Sequence, residues 1–337
     1  MPATPEARRA GELAAALRLL TVEIDAIDVR VDAVSLPSYP GGPRPTSVVV
    51  ARGRGCRGYG EHVGWSPAAH ARFRHRASGL VDTGRRTVSE FSEQFHRRSN
   101  EPYDRAALEA AVIDLALRQA DTSLAELIDV RGRETRYVVS FAPAGDPTQA
   151  LGSALGSSPE IQAKIDVDPE WATPTFERLA ATGRVAILDW KGRGVAGQHA
   201  TAHRLLPETI LEDPGAEPLH EAPAIDSRRS VDGPFTHARA LDDAATPAAA
   251  NVKPARMGGV LEALDGVERC AARGVSVYFG GMFELGPGRR QLLDLASVLS
   301  PDGPNDIAPI PTRPLPPAWL PRLEPPSGPG FGTATRG

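Results

Sequence analysis

The stretch VAILDWKG at residues 185–192 is a short apolar run that leads into a carboxylate, Asp189, and similar runs recur through the second half of the chain. From Tyr137 onward there are eight candidate strands, separated by helical or loop stretches: YVVSFAP, AKIDVD, VAILDWKG, TILEDP, RSVDGP, ANVKPAR, VSVYFGG and NDIAPI. Repeated strand–helix units predict a parallel sheet, and eight of them predict a closed barrel. Residues 134–310 are fewer than the ~250 of a typical barrel, so some helices must be short.

The first part of the chain has a different pattern. Residues 22–33 alternate apolar and acidic side chains, which predicts a half-buried strand, and residues 46–63 predict two more strands joined by a tight turn. The clearest helix covers residues 104–119, where apolar positions recur at helical spacing. We therefore expect an α+β domain over residues 1–133, a barrel domain over 134–310, and a Pro-rich tail over 311–337 that lies extended on the surface or is disordered.

Composition argues against several classes of protein. The chain has 337 residues, of which 41% are hydrophobic and 24% charged, and its net charge of −4 gives no reason to expect nucleic-acid binding. No apolar run approaches the roughly 20 residues that cross a membrane, and the N-terminus lacks the pattern of a signal peptide. Cys56 and Cys270 are too few for a disulfide framework, so we expect a cytoplasmic protein.

Lysine is rare in this chain. Of 38 basic residues only Lys164, Lys191 and Lys253 are lysine, and each lies in or just after a predicted strand. A lysine amine can accept and return a proton near neutral pH when burial lowers its pKa, whereas an arginine guanidinium stays charged. A chain that uses arginine nearly everywhere is expected to keep lysine where a titratable amine is needed, although codon usage and chance would explain the same count.

Four charged residues follow one another at regular intervals along the predicted barrel. Asp189, Glu212, Asp232 and Lys253 are separated by 23, 20 and 21 residues, and each interval suits one strand plus one short helix. In a barrel such positions meet at the face where loops build active sites. Three carboxylates at one mouth repel one another unless a cation neutralises them, and all-oxygen ligation selects a hard ion such as Mg²⁺. Each carboxylate alone could equally be a helix N-cap, but the ordered set favours a metal site.

This order of strand-end residues resembles the enolase superfamily, and within it the branch of muconate lactonising enzyme, mandelate racemase and o-succinylbenzoate synthase. GYGEH at 58–62 is similar to a strand of the family's capping domain, and LEDP at 211–214 to its fourth-strand motif. Residues 251–289, which begin NVKPARMGG, are similar to its sixth and seventh βα units. The resemblance implies an α+β capping domain over an α/β modified TIM barrel, (β/α)7β.

By that resemblance, Asp189, Glu212 and Asp232 would bind Mg²⁺, and Lys253 would be the acid/base residue of the sixth strand. Mg²⁺ on the carboxylate oxygens of a substrate stabilises the enediolate that forms when an α proton is removed, and a cap that excludes water strengthens this effect. The activity implied is abstraction of a proton α to a carboxylate of a small substrate. Elimination would follow in a dehydratase or an o-succinylbenzoate-synthase-like lyase, and isomerisation in the other members.

Two positions depart from the family's pattern. The second strand usually carries Lys-x-Lys, and this chain has Lys164-Ile165-Asp166; the third strand usually ends Asp-x-Asn, and here it ends in Asp189 followed by Trp190 and Lys191. Period-two alternation puts Lys164 and Asp166 on one face of their strand. Lys164, Lys191 and Asp166 are therefore further candidate catalytic residues, and the loss of the usual second base favours elimination with a single base.

Two alternatives to elimination stay open. A racemase, epimerase or cycloisomerase would oppose Lys253 with Lys164 or Lys191, and a non-catalytic barrel would only bind a carboxylate metabolite. Arg256 and Glu284 are candidate substrate-binding residues. The loops at 35–45 and 57–65 are expected to close over the small-molecule substrate. No nucleic acid or membrane partner is expected, and homo-oligomerisation stays open.

Overall fold

The structure is a computed structural model that describes residues 5–34, 43–156, 158–215, 227–242, 246–309 and 320–332. The described residues form twelve strands and eleven helices, arranged as an α+β cap over a barrel of parallel strands. The predicted fold class is confirmed.

The capping domain contains two small antiparallel sheets and five helices. In chain order its elements are α1 (Pro5–Leu19), β1 (Thr21–Ile24), β2 (Ala26–Val34), β3 (Arg44–Gly53), β4 (Cys56–His62), α2 (Pro67–Leu80), β5 (Gly84–Thr87), α3 (Val88–Arg98), α4 (Pro102–Gln119) and α5 (Leu124–Leu127). Strands β2, β3 and β4 form one sheet, and β1 pairs with β5. Helix α4 lies so close to β4 that a Cβ on Gly60 would be 2.0 Å from the Ala107 oxygen. A glycine of the GYGEH stretch is thus required by helix packing.

The barrel domain alternates strands with helices of at most thirteen residues. Its elements are β6 (Val138–Phe141), α6 (Pro147–Leu155), β7 (Gln162–Asp166), α7 (Thr173–Thr182), β8 (Val185–Asp189), α8 (Ala196–Leu205), β9 (Ile210–Glu212), β10 (Arg229–Val231), β11 (Ala249–Val252), α9 (Pro254–Met257), α10 (Val260–Ala272), β12 (Ser276–Phe279) and α11 (Pro287–Leu299). Each strand pairs in parallel with the next along the chain, from β6 to β12. The carboxyl ends of all seven strands therefore lie at one face.

The eighth predicted strand, NDIAPI, forms no regular strand in its described part. Instead, Asn305 and Asp306 bridge the first and last strands of the sheet. The Val138 N–H donates to the Asn305 oxygen at 2.9 Å, and the Asp306 N–H donates to the Phe279 oxygen at 2.8 Å. Prolines on both sides of this segment lack the N–H groups that a longer ladder would need, so two residues close the barrel.

Residues 320–332, which belong to the predicted tail, are anchored by a buried side chain. The sequence had predicted that the tail lies extended on the surface or is disordered. Phe331 is fully buried, and its N–H donates to Asp114 Oδ1 of α4 at 2.8 Å. Arg290 Nε of α11 donates to the Gly332 oxygen at 2.8 Å. Residues 320–332 thus contact both domains, while the rest of the predicted tail beyond Ile310 lies outside the described residues.

None of the helices in the described ranges is long and apolar enough to span a membrane. Cys56 is half-buried, Cys270 is buried, and both are free thiols. Burial raises the pKa of the Cys270 thiol to about 12. Since the thiolate is the nucleophile and metal ligand, Cys270 is an inert core residue.

Candidate metal centre and active site

Three carboxylates converge at the carboxyl ends of three neighbouring barrel strands. Asp189 and Glu212 end β8 and β9 and are paired with each other across the sheet, and Asp232 directly follows β10. All three are buried, and one carboxylate oxygen from each lies within 4.8 Å of the others. The fold brings these residues together because parallel strands place their carboxyl ends at one edge of the barrel.

This donor set fits a hard divalent ion. Oxygens within 4.8 Å of one another need only small side-chain rotations, to separations below about 4.2 Å, to bind one ion at the ~2.0–2.1 Å that Mg²⁺ requires, and the remaining octahedral positions are left for water or substrate oxygens. Buried carboxylates are stable only when they are paired or bind a metal. Asp189, Glu212 and Asp232 are therefore the residues that would hold Mg²⁺.

Lys164 supplies positive charge to all three carboxylates. It lies in β7, and its side chain is 1% exposed. Its Nζ is 3.1 Å from Asp189 Oδ2 and 4.0 Å from Asp232 Oδ2, and it contacts Glu212 Oε1 directly. A fourth carboxylate, that of Asp306, is 3.4 Å away. Burial acts to lower the pKa of Lys164, but these carboxylates, Glu212 foremost, raise it well above its usual value.

The same neighbours set the pKa values of the triad. Burial acts to raise the pKa of Asp189, but the nearby ammonium groups, Lys164 foremost, lower it to about 2. At Glu212 burial prevails over the opposing effect of Lys164 and raises the pKa to about 8. The pKa of Asp232 is held far below its usual range by neighbouring cations, Lys253 foremost, against the effect of burial. Glu212 is thus the carboxylate of the three that is hardest to ionise.

Lys253 and Arg256 bind Asp232 from a second side. Lys253 directly follows β11, its side chain is 7% exposed, and its Nζ lies 2.9 Å from Asp232 Oδ2. Arg256 Nη1 donates to Asp232 Oδ1 at 2.5 Å and to the Asp232 carbonyl at 2.8 Å. A Cβ on Gly280 would lie 2.7 Å from Lys253 Cε, so the lysine stem passes against the bare backbone of the neighbouring strand. The amine is therefore held beside the three carboxylates of the triad.

The two departures from the family pattern lie next to each other. Asp166 and Asp189 are paired across β7 and β8, and Lys191 is two residues further along the chain. Lys191 Nζ lies 3.2 Å from Asp166 Oδ1 and contacts Asp189 Oδ2, and 41% of the Lys191 side chain is exposed. An amine is thus present at the mouth of the barrel, beside the carboxylate that stands where the family has lysine.

A polar layer below the triad was missed by sequence reasoning. The Tyr278 hydroxyl donates to Glu212 Oε2 and lies 2.7 Å from Ser230 Oγ. Asn251 Nδ2 also donates to Glu212 Oε2, at 3.4 Å. Asn251 had a signal, because it precedes Lys253 by two residues and strand alternation points both side chains inward. Tyr278 lies in the apolar run VSVYFGG and had none.

Glu284, a candidate substrate contact, is buried within the loop that follows β12. It accepts a hydrogen bond from the Met282 N–H of the same loop at 2.7 Å, and burial raises its pKa. Arg256, by contrast, reaches both Asp232 and this loop, since its Nη2 lies 3.6 Å from Met282 Sδ.

The cap docks on the same loop. The Glu61 carboxylate of β4 accepts hydrogen bonds from the N–H groups of Leu285, Gly286 and Gly288 at 2.6, 2.8 and 3.0 Å. The amino end of α11 is therefore occupied by a carboxylate of the protein itself.

Only part of the expected substrate-covering loops can be placed, because residues 35–42 lie outside the described residues. Residues 57–62 of the expected 57–65 loop instead belong to strand β4, so only residues 63–65 form a loop there. Arg44 is buried and donates to the Gly64 oxygen at 2.6 Å and to the Met282 oxygen at 3.2 Å, which ties this short loop to the barrel. His62 is 2% exposed and lies 3.1 Å from Asp104, so it braces the cap.

The chain matches one protein family over most of its length. The C-terminal domain of the family described as Domain of unknown function (DUF8230) matches residues 132–311, and the N-terminal domain of that family matches residues 15–127.

Two curated relatives and one solved structure are similar to the chain. An N-succinylamino acid racemase of Amycolatopsis sp is 32% identical over 222 residues, which is 60% of each chain. An o-succinylbenzoate synthase of Geobacillus kaustophilus is 26% identical over 246 residues, 66% of this chain and 63% of that protein. The chain thus spans less than two thirds of these relatives. The crystal structure of an enolase superfamily member from Listeria innocua has a TM-score of 0.75 at 18% identity, over 92% of this chain and 94% of that one, which confirms the expected fold.

Proposed function

We propose that this chain, which belongs to the DUF8230 family and has the fold of the enolase superfamily, is a Mg²⁺-dependent enzyme that removes a proton α to the carboxylate of a small substrate. The observation that carries the proposal is the buried triad of Asp189, Glu212 and Asp232 with the Lys253 amine 2.9 Å from one of its oxygens. The names of the curated relatives, a racemase and a synthase, support this chemistry.

Each charged residue has a separate task in this mechanism. Mg²⁺ in the triad would stabilise the negative charge that develops on the substrate carboxylate. Lys253 takes the α proton, because it is the amine at the edge of the metal-binding carboxylates and Asp232 fixes its position. Arg256 holds Asp232 through two hydrogen bonds and keeps a positive charge on the substrate side.

Elimination with Lys253 as the only base is the leading reaction. A two-base reaction, either racemisation, epimerisation or cycloisomerisation, is the second candidate. Lys191 supports the two-base reaction, because its amine contacts Asp189, whereas the Lys253 amine lies beside Asp232. The Lys191 side chain is also 41% exposed. Lys164 suits a base less well, because its 1% exposed ammonium is surrounded by four carboxylates. Asp166 then serves to orient Lys191 at 3.2 Å.

A barrel that only binds a carboxylate metabolite is the third candidate. It would need cations for the substrate but no amine beside a metal triad, so the position of Lys253 argues against it. The two free cysteines support a reducing, cytoplasmic location for the enzyme.

The test is exchange of the substrate α proton with deuterated solvent, in the presence of Mg²⁺, over panels of N-succinyl amino acids, dipeptides, acid sugars and succinylbenzoate precursors. Lys253→Ala should lower exchange by at least about 10²-fold while Mg²⁺ still binds, because general-base catalysis contributes about that much. Lys253→Arg should be nearly as damaging, since guanidinium does not deprotonate at accessible pH.

Glu93→Gln, in an exposed ion pair with Arg97, is the control and should exchange like the wild type. Exchange at the wild-type rate in Lys253→Ala would show that another group is the base. Lys191→Met and Lys164→Met together separate the first two candidates: loss of exchange from only one enantiomer in either variant identifies two-base chemistry, and unchanged exchange and turnover in both identify a single base.

A further inference from the structure

Lys164 stands where a metal ion would need room. Its ammonium contacts Glu212 Oε1 and lies 3.1 Å from Asp189 Oδ2, and both carboxylates belong to the set that would hold Mg²⁺. An ion bound at ~2.0–2.1 Å from the same oxygens would be a near neighbour of this ammonium. Two cations at such a distance repel strongly in a buried site. Loading of the site therefore requires the ammonium to withdraw from Glu212.

The charges around the triad leave one carboxylate to which the Lys164 ammonium can move. Asp189 already has Lys191 as a partner, and Asp232 has Lys253 and Arg256. Within the described ranges, the ion-pair partners of Lys164 are the three triad carboxylates and Asp306. Asp306 Oδ2 is 3.4 Å from Lys164 Nζ, and Asp306 is the one of the four that stands outside the triad.

Asp306 is well suited to receive this charge without a change in the backbone. Asp306 lies in the two-residue bridge that closes the barrel. Its backbone N–H donates to the Phe279 oxygen at 2.8 Å, and its backbone carbonyl accepts from the Gly281 N–H at 3.1 Å. The side chain is 17% exposed, so it remains partly hydrated while Lys164 is buried.

We infer that Asp306 is the alternative counterion of Lys164, and that the ammonium transfers from Glu212 to Asp306 when a divalent cation enters the triad. Asp306 is thus a positioning residue for metal binding and not a metal ligand. This inference rests on the proposed function, because it takes the triad to be a metal site. It assigns a task to a residue of the bridge that closes the barrel.

The experiment measures Mg²⁺ and Mn²⁺ affinity by calorimetry and by Mn²⁺ electron paramagnetic resonance, without substrate. Asp306→Asn keeps the shape and the backbone hydrogen bonds, and should weaken Mg²⁺ binding about 10–100-fold, the usual effect of removing a partner of a metal-site residue. Asp302→Asn is the control, since Asp302 pairs with Arg133 and Arg322 at the surface, and should change the affinity by less than about twofold.

The dependence on Lys164 makes the test specific. In a Lys164→Met background there is no ammonium to relocate, so Asp306→Asn should change the affinity by less than about threefold there. Equal weakening in both backgrounds would mean that Asp306 acts on the metal directly, and would overturn the inference. Full affinity in Asp306→Asn alone would also overturn it. A wild-type protein that binds neither ion would overturn the proposed function together with the inference.

A spectroscopic measurement keeps the test open if Lys164→Met does not fold. Because the chain has three lysines, selective ¹⁵N labelling gives three side-chain ammonium signals, which single substitutions assign. Addition of Mg²⁺ should shift the Lys164 signal in the wild type. In Asp306→Asn the shift should be lost or should need about 10–100-fold more Mg²⁺. A Lys164 signal that does not respond to saturating Mg²⁺ would show that the ammonium stays in place.

Discussion

Replacing Glu61 by glutamine tests how much one buried carboxylate contributes to holding the cap on the barrel. Oε1 of Glu61 accepts from Thr46 Oγ1 at 2.8 Å and from the Leu285 N–H at 2.6 Å. Oε2 accepts from the N–H groups of Gly286 and Gly288 at 2.8 and 3.0 Å. The carboxylate therefore joins β3 and β4 of the cap to the amino end of α11 in the barrel.

The magnitude follows from these four bonds. Glutamine keeps one acceptor oxygen, so in either orientation of the amide at least one backbone N–H meets an NH₂ group and loses its partner. A donor left unpaired costs about 1–3 kcal/mol. Loss of the negative charge at the amino end of α11 adds about 0.3–1 kcal/mol. We expect Glu61→Gln to lower the free energy of unfolding by about 2–3 kcal/mol.

Urea denaturation followed by circular dichroism measures this loss, and hydrogen exchange of residues 282–290 should become faster in the variant. Glu93→Gln is the matched control, because the Glu93 side chain is 66% exposed and pairs with Arg97 four residues further along α3. Its effect should stay within about 0.5 kcal/mol. A Glu61→Gln protein as stable as this control would refute the view that the carboxylate secures the cap.

Two further predictions concern buried groups outside the triad. Burial raises the pKa of Asp294 to about 7; since the unfolded carboxyl ionises near pH 4, stability should fall by up to about 4 kcal/mol as pH rises from 4 to 7. Asp294→Asn should remove this fall in urea denaturation, and an unaltered pH profile would contradict the assignment. Phe331→Ala should destabilise by about 3–5 kcal/mol in the same assay, whereas Leu320→Ala, 61% exposed, should change stability little; equal effects would show that Phe331 is no anchor.

The triad could be predicted from sequence because its geometry is repetitive. Each strand of a parallel barrel begins a new repeat, so residues that end successive strands recur at similar intervals and meet at one face. Asp189, Glu212 and Asp232 follow this rule at intervals of 23 and 20 residues. Alternation within a strand extends the same reasoning inward, and would have included Asn251 below Lys253.

Contacts that depend on one particular docking could not be predicted this way. Glu61 and Leu285 are separated by 224 residues, and no pattern in either segment predicts that the two are in contact. Phe331 follows a Pro-rich stretch whose composition predicts no packed structure, yet its buried ring and N–H, together with the Arg290 bond to Gly332, hold the segment in place. The eighth strand is shorter than predicted for a related reason: Asn305 and Asp306 make the bridges that close the barrel, while Pro304 and Pro309 lack the donors that a longer ladder would need.

The residues of β7 and β8 at the mouth of the barrel have to be interpreted together, because the departure in one strand is paired with the departure in the other. Compared with the Lys-x-Lys pattern, β7 has a carboxylate at Asp166 in place of the second amine. Compared with the Asp-x-Asn pattern, the segment after β8 has an amine at Lys191 in place of the amide. Across the sheet, the pairing of Asp166 with Asp189 brings both changes to one place, where Lys191 Nζ lies 3.2 Å from Asp166 Oδ1. Burial raises the pKa of Asp166, and Lys191 is the main opposing influence, so Asp166 without Lys191 would leave a buried carboxylate poorly paired, whereas Lys191 keeps Asp189 as a second partner. The amine at the mouth therefore comes from the third strand, with the second strand supplying its counterion.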